Sequence, residues 1–193
     1  IIGAFDPARI GGDRRALRFA VLGEIEGGGW GIEWMPPIIV PVSAKSNNPI
    51  DYQLVEQVRR ECEKVTWRGN SSYSCPPESL GIDATGGGAD LCDIFERLWS
   101  PSIMRIVFSG SASEDSCSLE DVRPANEVYR NKRAEMYFRS RNALNSNQLK
   151  GIDNETAKEL CSIEFDDSKP LITLISKSDY KAMFGKSPDL ADS

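Results

Sequence analysis

The sequence predicts an α/β fold built on a mixed central sheet, and three observations carry that expectation. The first forty residues read as apolar strands separated by glycine turns. From there on, single strand-like runs alternate with segments of helical periodicity. The chain is 193 residues long, 40% hydrophobic and 27% charged, which suits one domain burying roughly 70% of its unfolded surface.

The elements follow in order. Residues 1–8 and 14–22 read as two strands joined at Gly11-Gly12-Asp13, and a third strand precedes Pro36-Pro37. After a short apolar segment at 38–42, Ile50, Leu54, Val58, Cys62 and Val65 share one face of a helix over 48–65. A Ser-, Pro- and Gly-rich loop at 68–77 leads to a fourth strand ending at Asp83. A glycine turn and a helix over 89–99 follow, then a fifth strand over 103–108, buried by composition. Residues 109–123 are polar and read as a loop or mobile insertion. A long helix is expected over 124–144, with short elements at 152–164, 171–175 and 178–184. An antiparallel meander followed by parallel βα units is the ribonuclease H-like order, with five or more strands flanked by helices.

The chemistry is carried by isolated acids at element ends. Asp6 closes the run Ile1-Ile2-Gly3-Ala4-Phe5, and Asp83 closes Ser79-Leu80-Gly81-Ile82. Asp189 and Asp192 lie three apart in Ser187-Pro188-Asp189-Leu190-Ala191-Asp192, which reads as a helix start capped by Ser187. Alone, each is an ordinary turn former or first-turn acid. Together, Asp6 and Asp83 at matching ends of adjacent parallel strands stand roughly 5 Å apart and repel unless a cation lies between them. Converging carboxylates make an oxygen-ligand site for Mg²⁺ or Mn²⁺. The chain has no histidine, which removes most acid–base and soft-metal alternatives.

Gly86-Gly87-Gly88 reads as a strand-to-helix turn, a phosphate cradle, or a gap admitting a nucleic-acid backbone. Gly185-Lys186-Ser187 imitates the end of a P-loop, but the required upstream glycine position holds Tyr180. Five cysteines without a C-x-x-C pair read as reduced thiols. The net charge of −6 argues against strong free-standing affinity for nucleic acid, so DNA contact requires a local basic patch. Arg9, Arg14, Arg15, Lys132 and Arg133 are the candidates, against the commoner reading of solvated surface. No apolar run approaches the ~20 residues that span a bilayer.

Four segments in order resemble the nuclease domain of the large terminase subunit of tailed bacteriophages. They are Ala4-Phe5-Asp6-Pro7-Ala8-Arg9 with Gly11-Gly12-Asp13-Arg14; Gly81-Ile82-Asp83-Ala84-Thr85-Gly86-Gly87-Gly88; Asn131-Lys132-Arg133-Ala134-Glu135-Met136-Tyr137; and Ser187-Pro188-Asp189-Leu190-Ala191-Asp192. The resemblance implies a ribonuclease H-like fold and endonucleolytic cutting of concatemeric viral double-stranded DNA during packaging. It also matches Asp6 and Asp83 to the family's strand acids and Asp189 and Asp192 to its paired terminal acids, with either of the last two as the direct metal ligand. It implies a single nuclease domain over 1–193, cut from the C-terminal part of a longer subunit whose packaging ATPase is absent here. The implied partners are that ATPase, the small terminase subunit and the portal. The implied setting is the host cytoplasm, transiently at the procapsid portal, with no membrane.

The expected mechanism is two-metal phosphodiester hydrolysis with two Mg²⁺ or Mn²⁺ ions at these acids, and with no histidine as base a metal-bound hydroxide serves. Rival readings are a resolvase- or transposase-type nuclease of the same superfold, an actin-like nucleotide-binding domain suggested by Ile82–Gly88, and a catalytically idle docking module.

Overall fold

Strand β1 (Ile2–Pro7) pairs antiparallel with β2 (Arg15–Glu24), setting Phe5 opposite Leu17, Ala4 opposite Arg18 and Asp6 opposite Ala16. Side chains alternate across a strand, so this register sends Phe5, Leu17 and Phe19 to one face and Asp6 and Arg18 to the other. The computed structural model describes residues 1–7, 14–24, 29–118 and 120–192. The expected turn at Gly11-Gly12-Asp13, and Arg9 with it, lie outside the described residues.

Strand β3 (Trp30–Trp34) completes the meander on β2, and β4 (Ile38–Ile39) pairs with the opening of β2. Helix α1 (Ile50–Glu63) leads to a hairpin, β5 (Val65–Trp67) and β6 (Asn70–Tyr73). Then come β7 (Leu80–Asp83), helix α2 (Gly88–Leu98) and β8 (Met104–Ile106). Helix α3 (Lys132–Asn145), β9 (Leu149–Lys150) and helix α4 (Asn154–Ser162) follow. The chain closes with β10 (Phe165–Asp166), β11 (Thr173–Leu174) and helix α5 (Lys177–Phe184). The central sheet runs β8-β7-β1-β2-β3-β9, with β4 also on β2. Strand β1 is parallel to β7, and β7 to β8.

Phe5, Leu17, Phe19, Leu80 and Ile82 form the inner face of the sheet. They pack on Leu54, Val55, Val58 and Cys62 of α1 and on Leu91, Cys92 and Phe95 of α2. Each fully buried Leu, Ile or Phe contributes about 1.5–3 kcal/mol. A second, smaller core gathers Ala112, Cys117, Ala125, Val128, Tyr129 and Ala134.

Five expectations change. Residues 68–77 are not all loop: Arg68 (φ 47°) and Gly69 (φ 80°) both take the left-handed conformation that closes a two-residue hairpin. The fifth strand is not buried but a short edge strand, with Met104 45% exposed. The long helix starts at Lys132, where the Asn131 side chain accepts the Ala134 N–H at 3.0 Å. Ala125 and Val128, upstream of it, belong to the second core. The described residues of 109–123 are irregular but tied down, with Cys117 N donating to Arg123 O at 3.0 Å and Ser113 N to Glu135 at 2.8 Å. Finally, Pro188–Asp192 makes a single turn, its carbonyl at 188 accepting from Ala191 and Asp192, and no helix follows within the described residues.

Candidate metal centre

Asp6 and Asp83 occupy the site because β1 and β7 lie side by side and parallel, with Phe5 opposite Ile82 one residue earlier. The same alternation that buries Ile82 in the apolar core turns Asp83 to the other face, beside Asp6. The glycines behind Asp83 act structurally. Gly86 has φ +58°, and a Cβ on Gly88 would run into the Asp83 carbonyl, so α2 can start this close to the strand only with glycine there. Thr85 N donates to Asp83 Oδ1 at 2.8 Å, fixing that carboxylate's rotation.

The terminal turn brings up the other two acids. Exposure is 5% for Asp6, 9% for Asp83, 5% for Asp189 and 8% for Asp192. Lys177, the first residue of α5, lies among three of them. Its Nζ is 2.9 Å from Asp192 Oδ2, 3.6 Å from Asp6 Oδ2 and 3.7 Å from Asp83 Oδ2. Asp6 and Asp83 are therefore separated by no more than two such contacts laid end to end. Asp189 Oδ2 accepts the Arg14 backbone N–H at 2.7 Å. Asp192 Oδ1 accepts from Arg133 Nε at 3.1 Å.

The electrostatics follow from that crowding. Burial pushes Asp6 up to about 7, Lys177 opposes the rise, and the charges of Asp192, Asp83 and Asp189 add to it. Burial would lower the Lys177 ammonium, but Asp192, Asp6 and Asp83 outweigh it and hold it above its ordinary value. Asp6 Oδ2 accepts no hydrogen bond although it is buried. An unsatisfied buried carboxylate oxygen is costly, and a cation relieves it. Among the described residues no three His, Cys, Asp or Glu side chains converge tightly enough to hold a metal as they stand, with the lysine between them. The donor set nevertheless suits a hard divalent cation, being all carboxylate. A largely apolar cavity of about 210 Å³ adjoins the acids, walled by Ala4, Gly81, Asp83, Arg133, Tyr137 and Asp192.

The basic candidates separate by placement. Arg133 is 7% exposed and faces inward, donating to Asp192 and, through Nη1, to Ile175 O at 2.9 Å. Lys132 Nζ holds the buried Glu135 at 2.7 Å. Arg14 pairs with Glu155 at 2.7 Å and Glu159 at 2.8 Å, and Arg15 is half-buried at the start of β2. All five cysteines are free thiols.

Sequence reasoning missed Lys177 and Glu159. Lys177 stands three residues beyond the end of β11, as the first residue of α5, so the strand-end pattern that singled out the acids does not mark it. Glu159 sits in a short polar helix with no motif to mark it.

No protein-family model matches the chain, and no curated protein matches it in sequence. Solved structures do. The nuclease domain of the large terminase subunit gp2 of bacterial virus Sf6 matches with a TM-score of 0.63 at 20% identity, over 99% of this chain and 84% of that one. A lysine-to-alanine mutant of that domain with manganese and β-thujaplicinol matches at 0.62 and 19% identity, and the mutant with manganese at 0.60 and 17%, with the same coverage. The chain has the ribonuclease H-like fold of these terminase nuclease domains.

Proposed function

We propose that this chain is a divalent-metal-dependent endonuclease that cuts concatemeric viral double-stranded DNA during genome packaging. The observation that carries the reading is the meeting of Asp6, Asp83 and Asp192 around one ammonium, from three segments far apart in the sequence. Like charges gathered in a buried site are unfavourable unless a cation is meant to join them. The likeness to terminase nuclease domains, two of them holding manganese, supports the same reading.

Asp6, Asp83, Asp192 and Asp189 would hold two Mg²⁺ or Mn²⁺ ions. Bound there, the ions would activate a water for in-line attack on the phosphodiester and neutralise the leaving 3′-oxyanion. The chain's own residues do the rest. Thr85 N and Arg133 Nε fix the rotation of Asp83 and Asp192. Lys177 keeps the acids together before metal arrives and must move aside as the ions enter. Asp6, protonated through much of the acidic range, must lose its proton to ligate, so Mn²⁺ affinity should climb as pH rises towards about 7.

Arg14, Arg15 and Lys132 are proposed to meet the DNA backbone, together with Arg9. Arg133 acts there chiefly through Asp192. In the full-length subunit the packaging ATPase, small subunit and portal would present DNA to this site in the host cytoplasm. Among the described residues no helix is long and apolar enough to cross a membrane. Asp83→Asn tests the assignment: Mn²⁺-dependent plasmid cutting should vanish while circular dichroism stays unchanged, and undiminished cutting would remove Asp83 from the scheme.

A further inference from the structure

The terminal acids need something to hold them, because no strand or multi-turn helix carries them. Pro188–Asp192 closes one turn on its own backbone bonds. Two of its backbone amides are held by one side chain outside the acidic cluster. Glu159 of α4 is 2% exposed. Its Oε2 accepts the N–H of Leu190 at 2.9 Å and of Ala191 at 3.2 Å, the two amides between Asp189 and Asp192. Its Oε1 accepts from Arg14 Nη2 at 2.8 Å and from Lys186 Nζ at 3.1 Å. Arg14 closes the circuit by donating its backbone N–H to Asp189 at 2.7 Å.

We propose that Glu159 is a positioning residue for the metal centre, holding the turn so that Asp192 and Asp189 face Asp6 and Asp83. The proposal rests on the metal-site reading above. A buried carboxylate is an expensive way to tie down a loop when an apolar side chain would fill the same space. What it supplies here is register. Glu159 fixes the backbone of the turn and Arg133 fixes the Asp192 carboxylate, so position and rotation are set separately. Ligating groups tolerate displacements of only about 0.5 Å, and outer partners of metal ligands typically govern about 10–100-fold in affinity.

Mn²⁺ binding by calorimetry and by electron paramagnetic resonance, on the whole chain, tests this. Glu159→Gln keeps one oxygen for the turn amides but turns an NH₂ towards Arg14 or Lys186, and should weaken Mn²⁺ binding about 10-fold. Glu159→Ala should approach about 100-fold. In both, the Mn²⁺ midpoint for plasmid nicking should shift by the same factor, with the rate at saturating Mn²⁺ close to wild type. Amide hydrogen exchange at Leu190 and Ala191 should accelerate. Lys186→Met, which removes one donor to Glu159 Oε1, leaves the grip on the turn in place and should shift the midpoint the same way by less, so the test survives if Glu159→Ala does not fold. Wild-type Mn²⁺ affinity in a folded Glu159→Gln overturns the proposal, as does a lower saturating rate with no shift in midpoint. Mn²⁺ binding no tighter in wild type than in Asp83→Asn would instead overturn the metal-site reading, and this inference with it.

Discussion

The two faces of the central sheet are held by opposite means. On one, Phe5, Leu17, Leu80 and Ile82 pack against α1 and α2, and the interior is apolar throughout. On the other, Asp6, Asp83, Arg18, Arg133, Glu159 and Asp192 are all buried, joined by hydrogen bonds and ion pairs. Arg18 illustrates the second face. It is 3% exposed, it donates to Met35 O at 3.0 Å and to Thr156 Oγ1 at 2.6 Å, and it pins α4 to the sheet. Burial lowers its pKa while Asp153 and Glu159 resist the drop. The contrast teaches a division of labour: the apolar face sets stability, and the polar face spends some of it on a charged site.

That division can be broken experimentally, beginning with the largest effect. Phe95, fully buried on the apolar face, should cost about 3–5 kcal/mol on replacement by Ala, read by urea unfolding. Mn²⁺ binding by whatever fraction stays folded should be unchanged, and a specific loss of metal affinity would blur the two faces into one.

Lys177→Met removes the cation that three carboxylates share. Metal-free stability should fall by about 1–2 kcal/mol, less than for a fully buried pair because Lys177 is 38% exposed. Mn²⁺ should restore more stability to this variant than to wild type, measured as the gain in Tm. A destabilisation indifferent to Mn²⁺ would mean the lysine only packs against Phe108, whose ring centroid lies 5.5 Å from Nζ.

The pH dependence sharpens the comparison further. Asp6 titrates near 7 in the folded chain against an ordinary 3.8, so the folded state holds a proton that the unfolded state has released between those values. The stability from this group is fully present below about 4 and is lost as pH rises through about 7. Unfolding free energy measured without metal should show this decline in wild type and lack it in Asp6→Asn. Equal slopes would place the titration elsewhere.

The smallest effect belongs to the surface. Arg59 and Glu63 form an exposed pair one helical turn apart, and Arg59→Ala should change stability by about 0.5 kcal/mol or less.

How legible this was in the sequence depended on how each feature is built. Asp6 and Asp83 could be found because a strand's alternation and its end are local properties, and the parallel pairing of β1 and β7 follows from the element order. The β5–β6 hairpin was hidden because Asn70-Ser71-Ser72 is polar and its turn is closed by Arg68 in an unusual conformation. The long helix was overextended because Ala125, Val128 and Tyr129 have helical spacing, whereas they serve the second core. The exposure of β8 depends on no strand pairing beyond it in the described sheet, which only the assembled topology shows. Lys177, Arg18 and Glu159 are tertiary devices, each reaching across long stretches of chain, and nothing in their own neighbourhoods marks them.

The central claim is that the acids on the polar face gather to hold divalent cations. Soaking crystals in Mn²⁺ and reading the anomalous scattering tests it most directly. Peaks should lie within ligand distance of the Asp6, Asp83 and Asp192 carboxylates, with Lys177 Nζ withdrawn from them. Manganese absent from these carboxylates at saturating concentration, with the lysine still in place, would contradict the account.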